Sequence, residues 1–309
     1  MRICSFLPSA TEILCALGLQ DAICGITYEC DYPPEVRTKP VVVHTRLSPL
    51  LNPAEIDRQV NHAVQRGASL YRIDIEKLKL IRPDLLITQD LCHVCAASSD
   101  DLAAALSVLP SSARVLSLNP RRLSDIWEDI VSVGRTTGRT SEAEKLAEQL
   151  KQRVRTVRQV AAGIAQPPRV LCLEWLAPPF VAGHWVPEMV QIAGGIDVMG
   201  RVGEPGFRTT WEEIFKTAPD VVVVMPCGYD LQRTAAEVRS IGLPAGWNQL
   251  PAVRTGRVIA VDASSYFSRP GPRVATGLEI LAHALDPART PVPIPSDAMM
   301  NIGKYPSAA

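Results

Sequence analysis

The chain has 309 residues, 47% of them hydrophobic and 21% charged, the balance of a globular protein with room for two domains. Its 32 Lys and Arg equal its 32 Asp and Glu, and no basic run stands out, which leaves a nucleic-acid footprint unsupported. No segment approaches the roughly 20 consecutive apolar residues of a membrane-spanning helix.

Arg2 to Leu7 reads as an apolar strand that turns through Pro8 into a helix, with Ser9 and Glu12 at capping-box spacing and Gly18 as its stop. Met1 and Arg2 run directly into that strand, with no apolar leader or small-residue cleavage site. The expected compartment is therefore the cytosol, or the periplasm or cell surface if the true start lies upstream. Cys4, Cys15 and Cys172 sit in apolar runs as small hydrophobes do, which suits a reducing compartment. Ala22 to Thr27 is a second strand, followed by the loop Tyr28 to Tyr32 and a short strand Val41 to Val43. Helices follow at Pro53 to Arg66 and Asp74 to Ile81, then a buried strand Asp84 to Thr88, the loop Gln89 to Cys95 and a helix from about Ser99. Arg114 to Leu118 is a strand and Leu123 to about Thr136 a helix. Strands alternating with helices predict a parallel sheet with helices on both faces.

A long amphipathic helix opens at Ser141 and Glu144, a second capping-box pair, and runs to about Ala165 before Pro167 and Pro168. It either joins two lobes or lies on the surface of a single domain. Beyond it the pattern begins again: strand Arg169 to Leu173, helices Val186 to Ala193 and Trp211 to Thr217, strand Asp220 to Val224, helix Leu231 to Ile241, strand Arg257 to Val261 and helix Pro272 to Leu285. The segment Ile75 to Ile87 lines up with Trp211 to Val223, keeping Glu76 with Glu212, Pro83 with Pro219 and Asp84 with Asp220. The fold class is thus α/β, with two Rossmann-like lobes, 1–140 and 167–309, joined by one long helix at 141–166. The segment after Pro287 reads as a loosely held tail.

In open α/β sheets ligands sit beyond the carboxyl ends of the strands. Nine of the 16 aromatic residues fall in the loops predicted there: Tyr28, Tyr32, Trp175, Phe180, Trp185, Phe207, Tyr229, Tyr266 and Phe267. They imply a cleft for a large, flat or macrocyclic ligand, or rings that pack a lobe interface. Cys92, His93 and Cys95 form a Cys-x-x-Cys loop beside Cys30, a spacing that can hold zinc or iron, or reach the metal of a bound chelate, or simply pack a helix start. His184 beside Trp185 is a further candidate ligand. Glu76 and Glu212 in first helical turns suit the helix dipole without any partner. No G-x-S-x-G, H-E-x-x-H, P-loop or G-x-G-x-x-G stands where a strand meets a helix, and Glu29, Asp31 and Asp90 are ordinary loop carboxylates, so no catalysis is expected.

Several stretches carry a resemblance: Arg2-Ile3 through Leu7-Pro8-Ser9-Ala10-Thr11-Glu12-Ile13 to Leu17-Gly18, Tyr28-Glu29-Cys30-Asp31-Tyr32-Pro33, Arg82-Pro83-Asp84, and Thr88-Gln89 to Cys92 with Val94-Cys95-Ala96. Ser268-Arg269-Pro270-Gly271-Pro272-Arg273 and Gly277-Leu278-Glu279 complete the set. Over nearly its whole length the chain resembles the cobalamin-binding branch of the helical-backbone, class III substrate-binding proteins of ABC importers. The resemblance implies two lobes on a rigid helix, a monomer, and a non-catalytic carrier of a corrinoid, with haem or an iron chelate as alternatives. The expected ligand set, taken from the strand-end loops, is Pro8, Ser9, Tyr28, Glu29, Arg46, Gln89, Trp175, Phe180, Trp185, Phe207, Tyr229, Tyr266, Phe267 and Arg269, with Arg46, Arg208 and Arg269 meeting peripheral carboxylates or amides. It also implies that Glu76 and Glu212 dock onto arginines of an ABC permease dimer. A cytosolic metal or redox protein centred on Cys30, Cys92, His93 and Cys95 is the competing expectation. Family importers carry a secretion or lipoprotein signal, and none is visible here.

Overall fold

The computed structural model describes residues 1–48, 51, 53–66, 68–89, 99–109, 111–290 and 293–303. It divides into two compact units, Met1–Pro120 with Trp127–Ala147, and Arg121–Ile126 with Glu148–Ala309.

Unit 1 runs β1 (Ile3–Ser5), α1 (Pro8–Ala16), β2 (Ile23–Thr27), β3 (Val41–Thr45), α2 (Pro53–Gln65), β4 (Tyr71–Ile73), α3 (Ile75–Ile81), β5 (Leu85–Thr88), α4 (Ser99–Ser107), β6 (Arg114–Ser117) and most of α5 (Leu123–Thr137). The strand order is β4-β3-β2-β1-β5-β6, parallel except for β4 against β3. The chain therefore leaves β1 in one direction and returns to its other side at β5, which makes the carboxyl ends of β1 and β5 the topological switch point. β1 and β5 are wholly buried, as a central parallel pair covered on both faces must be.

Helix α6 (Thr140–Ala161) gives Ala143 and Ala147 to unit 1, while Leu150 and Val157 are buried in unit 2. Its 22 residues make a rod of about 33 Å at about 1.5 Å per residue. It starts one residue before the expected Ser141, because the Arg139 carbonyl already accepts from Ala143 N at 3.0 Å. It also ends before the expected Ala165: Gly163 N and Ile164 N fold back onto Val160 O and Ala161 O, so the prolines come after the stop.

Unit 2 continues with β7 (Arg169–Leu176), β8 (Pro179–Val181), α7 (Val186–Ile192), β9 (Ile196–Asp197), β10 (Phe207–Arg208), α8 (Trp211–Thr217), β11 (Val221–Val224), α9 (Leu231–Ser240), α10 (Pro251–Arg254), β12 (Val258–Val261), α11 (Ala263–Tyr266), α12 (Val274–Leu285) and β13 (Met299–Asn301). The sheet order is β10-β8-β7-β11-β12-β13, with β9 also on β7. β7, β11 and β12 are parallel, and β8, β10 and β13 add antiparallel margins. Here the order reverses between β7 and β11. The tail expected to be loose instead supplies β13, anchored by buried Ala298 and Ile302.

The capping box read at Ser9 and Glu12 is not what starts α1. Pro8 takes the first helical position, where a missing N–H costs nothing, so Leu7 is the N-cap and Ser9 and Glu12 lie buried inside the helix. Thr11 does the polar work there, its hydroxyl donating to Ser5 Oγ at 2.9 Å.

The internal repeat is structural. α3 and α8 are both seven-residue helices capped by a side chain, Asp74 to Lys77 N and Thr210 to Glu213 N, and both stop on a left-handed residue, Arg82 (φ 48°) and Ala218 (φ 42°). A buried proline follows, then an aspartate: Asp84 Oδ2 accepts from Arg2 N at 2.7 Å, and Asp220 Oδ2 from Arg169 N at 2.9 Å. Arg2 Nε then reaches Ile81 O, as Arg169 Nη2 reaches Thr217 O, both at 2.8 Å. Each unit thus pins its first strand to the end of its short helix by the same arginine–aspartate clamp.

Candidate ligand-binding site

In unit 1 the carboxyl edge brings three predicted residues, Tyr28, Glu29 and Arg46, into one neighbourhood with a fourth that was not predicted, Tyr71. Tyr28, 42% exposed, follows β2 and donates its hydroxyl to Glu29 Oε1 at 3.0 Å. Its ring leans on Tyr71 with centroids 6.4 Å apart, and Arg46 Nε donates to the Tyr71 carbonyl at 3.0 Å. Tyr71 lies on β4, a three-residue strand not expected from the sequence; the β-favouring run Tyr71-Arg72-Ile73 before a helix cap is its local signal. Beside Arg46 a hollow of about 630 Å³ opens among Leu47, Arg58, His62 and Leu70. Pro8 and Gln89 are half-buried at the switch point, whereas Ser9 is buried.

Cys30 is buried, and its thiol lies 3.0 Å from Thr11 Oγ1, so it ties the Tyr28–Tyr32 loop to α1. Cys92, His93 and Cys95 lie outside the described residues. Among the described residues no group of three His, Cys, Asp or Glu side chains is arranged to hold a metal ion.

In unit 2 the candidates gather at the β7/β11 switch point. Trp175 and Phe180 belong to strands rather than loops: β7 outruns β11, whose last residue Val224 pairs with Leu173, so Trp175 overhangs the sheet and pairs with Phe180 across the hairpin. Arg208 pairs with Phe180 from β10, beside 37%-exposed Phe207. Tyr229, after β11, meets Trp175 edge-on at 5.4 Å, and the Arg233 guanidinium lies over its face at 3.9 Å. Tyr229 is 3% exposed, and burial raises its phenol above the ordinary value. Among the described residues, neither the buried Tyr229 O–H nor the buried Trp175 indole N–H finds a hydrogen-bond acceptor. Two adjacent buried donors without an acceptor at a switch point are an uncommon arrangement, since buried polar groups are nearly always satisfied.

Trp185 and Phe267 belong to the interior instead: both are buried, and Trp185 Nε1 donates to the Phe267 carbonyl at 3.0 Å. Tyr266 and Arg269 stay half-buried at the edge after β12, with Arg269 Nη2 on Ser264 Oγ at 3.1 Å. Glu76 and Glu212 are exposed second residues of the matched helices α3 and α8, and Glu76 holds Lys79 at 2.7 Å.

His184 adopts a left-handed backbone, φ 53°, held by its N–H on Glu204 O and its carbonyl on Gly203 N. Burial first, then the charge of Arg121, pushes its imidazole below the ordinary value. The unfolded chain therefore takes up a proton before the folded one does, and stability falls as pH drops from about 6.5 through the lower folded value. His184→Asn, which tolerates the left-handed backbone, is expected to lose less stability than the native chain between pH 7.5 and 5.5. Urea midpoints at the two pH values check this, and equal losses would refute it.

A family model described as periplasmic binding protein matches residues 3–264. An uncharacterised ABC transporter substrate-binding lipoprotein of Bacillus subtilis is 26% identical over 296 residues, covering 93% of this chain and 80% of that one. A vitamin B12-binding protein of Vibrio cholerae is 24% identical over 282 residues, covering 90% and 86%. Among solved structures, an apo periplasmic heme-binding protein from Roseiflexus superposes with a TM-score of 0.70 at 25% identity, covering 93% and 98% of the two chains.

Proposed function

The chain belongs to the periplasmic binding protein family, and on that premise we propose that it is a non-catalytic carrier that binds a corrinoid of the cobalamin type for an ABC importer. The observation that carries the reading is the pair of buried donors, Trp175 Nε1 and Tyr229 Oη, that find no acceptor among the described residues and are set among Phe180 and Arg208 at the switch point of unit 2. Aromatic faces suit a broad, flat ligand, and buried donors suit acceptors on its rim; a corrinoid ring fringed with amides offers both. Haem is the second reading, supported by the likeness to a heme-binding protein at 25% identity. Glu76 and Glu212, presented at the same place on two matched helices, are proposed to meet cationic side chains of the permease.

The test is a visible spectrum and metal analysis of the purified protein after incubation with hydroxocobalamin or hemin and desalting. Retained corrinoid absorption with stoichiometric cobalt is the expected result. Retained haem alone selects the second reading, and stoichiometric zinc or iron without a tetrapyrrole overturns both.

A further inference from the structure

We propose that Cys4 and Cys24, on neighbouring strands of unit 1, form a redox-active dithiol that closes to an intramolecular disulfide on exchange with a small-molecule disulfide. The two sulfurs stand 3.9 Å apart. The register explains why they meet: Ile3 pairs with Ile23 but Cys4 pairs with Gly25, so Cys24 is the extra residue of a bulge, a feature that re-aims a side chain. Gly25 makes the approach possible, because a Cβ there would stand 2.7 Å from Cys4 Sγ. Adjacent strands lie about 4.8 Å apart, a spacing inside the roughly 4.4–6.8 Å Cα separation that a disulfide spans.

The two thiols divide the chemistry. Cys24 is half-exposed, and the hydrogen bond from Cys4 lowers it below the ordinary thiol value; Cys4 is fully buried and raised by the same bond and by burial. In the proposed step the Cys24 thiolate attacks the external disulfide and forms a mixed disulfide, releasing one thiolate. Cys4 then gives up its proton and attacks Cys24 Sγ, releasing the second thiol. Two protein thiols are oxidised by two electrons, and one external disulfide is reduced to two thiols.

The consequence lies away from the ligand edge. Cys4 packs in the layer that carries Leu78 and Ile81 of α3, so the bond ties β1 to β2 beneath the helix that bears Glu76. Closing the loop between residues 4 and 24 raises Tm by about 5 °C or more on the chain-entropy account.

The experiment incubates the full chain with glutathione disulfide, blocks free thiols with N-ethylmaleimide and digests without reduction. Cleavage at Glu12, Asp21 and Glu29 puts Cys4, Cys15, Cys24 and Cys30 on separate peptides for mass spectrometry. The expected result is a Cys4–Cys24 linked peptide with a raised Tm, absent in Cys24→Ser, whose Cys4 stays free. In Cys4→Ser, Cys24 should keep a glutathione adduct that has no partner to resolve it. A native chain that retains the adduct on Cys24, or in which both thiols still take the blocking reagent, overturns the proposal.

Discussion

Tyr229→Phe is expected to make the free protein more stable by about 1 kcal/mol while weakening its hold on a corrinoid by about 10-fold. The two effects have one cause. The Tyr229 hydroxyl is buried and its proton finds no acceptor among the described residues, so the free protein bears the desolvation of a donor that a ligand can satisfy. Removing it leaves the ring against Trp175 and the Arg233 guanidinium over its face, so packing is retained. Such opposed signs are typical of sites whose strain or unsatisfied groups serve binding. Trp175→Ala removes both an aromatic face and the second unpaired donor, and about 30-fold weaker binding or more is expected, the scale of a central anchor residue. Urea denaturation and absorbance titration with hydroxocobalamin measure the two quantities on the same sample. Unchanged affinity in both variants would place the ligand elsewhere.

Arg153→Met should cost unit 2 about 3 kcal/mol and lower its Tm by roughly 6–12 °C. Arg153 on α6 donates from Nε and Nη2 to the two oxygens of Glu279 on α12, at 2.8 and 2.6 Å, and from Nη2 to Thr276 Oγ1 at 2.8 Å. Glu279 is buried at 5% exposure, and the arginine, at 38%, compensates its charge from α6. Truncating the arginine strands a buried carboxylate, whereas Arg153→Met with Glu279→Leu removes both charges and should recover most of the loss. Thermal unfolding of the single and double variants decides it: a single variant within about 1 kcal/mol of native would mean that water reaches Glu279 well enough to replace the arginine.

The order of strands and helices was legible because parallel α/β segments carry strong local signals. Leu85 to Thr88 and Val221 to Val224 are unbroken apolar runs ended by the next loop, and Trp211–Thr217 is bounded by Thr210 and by Pro219. The repeat that aligns Glu76 with Glu212 was legible for the same reason, since a cap, a proline and an aspartate are each local choices. The short antiparallel strands were not. β4, β8, β10 and β13 are two or three residues long and exist through pairing with a distant neighbour, which leaves almost no pattern in so short a stretch. Arg2 as the counterpart of Arg169 was hidden likewise, because the clamp joins residues 82 apart in unit 1 and 51 apart in unit 2.

For the site, the sequence by itself determined which residue types stand at the carboxyl ends of the strands: aromatic rings with a few arginines and carboxylates, and no catalytic motif. Tertiary structure alone decided which of those rings serve packing and which are left with an unmet need. Trp185 closes its hydrogen bond on Phe267 inside the unit, while the Trp175 N–H and the Tyr229 O–H meet at a strand crossover and find no acceptor among the described residues. Whether a buried donor finds a partner depends on a carbonyl or hydroxyl brought from elsewhere in the chain to within about 3 Å, and no local sequence pattern records that distance.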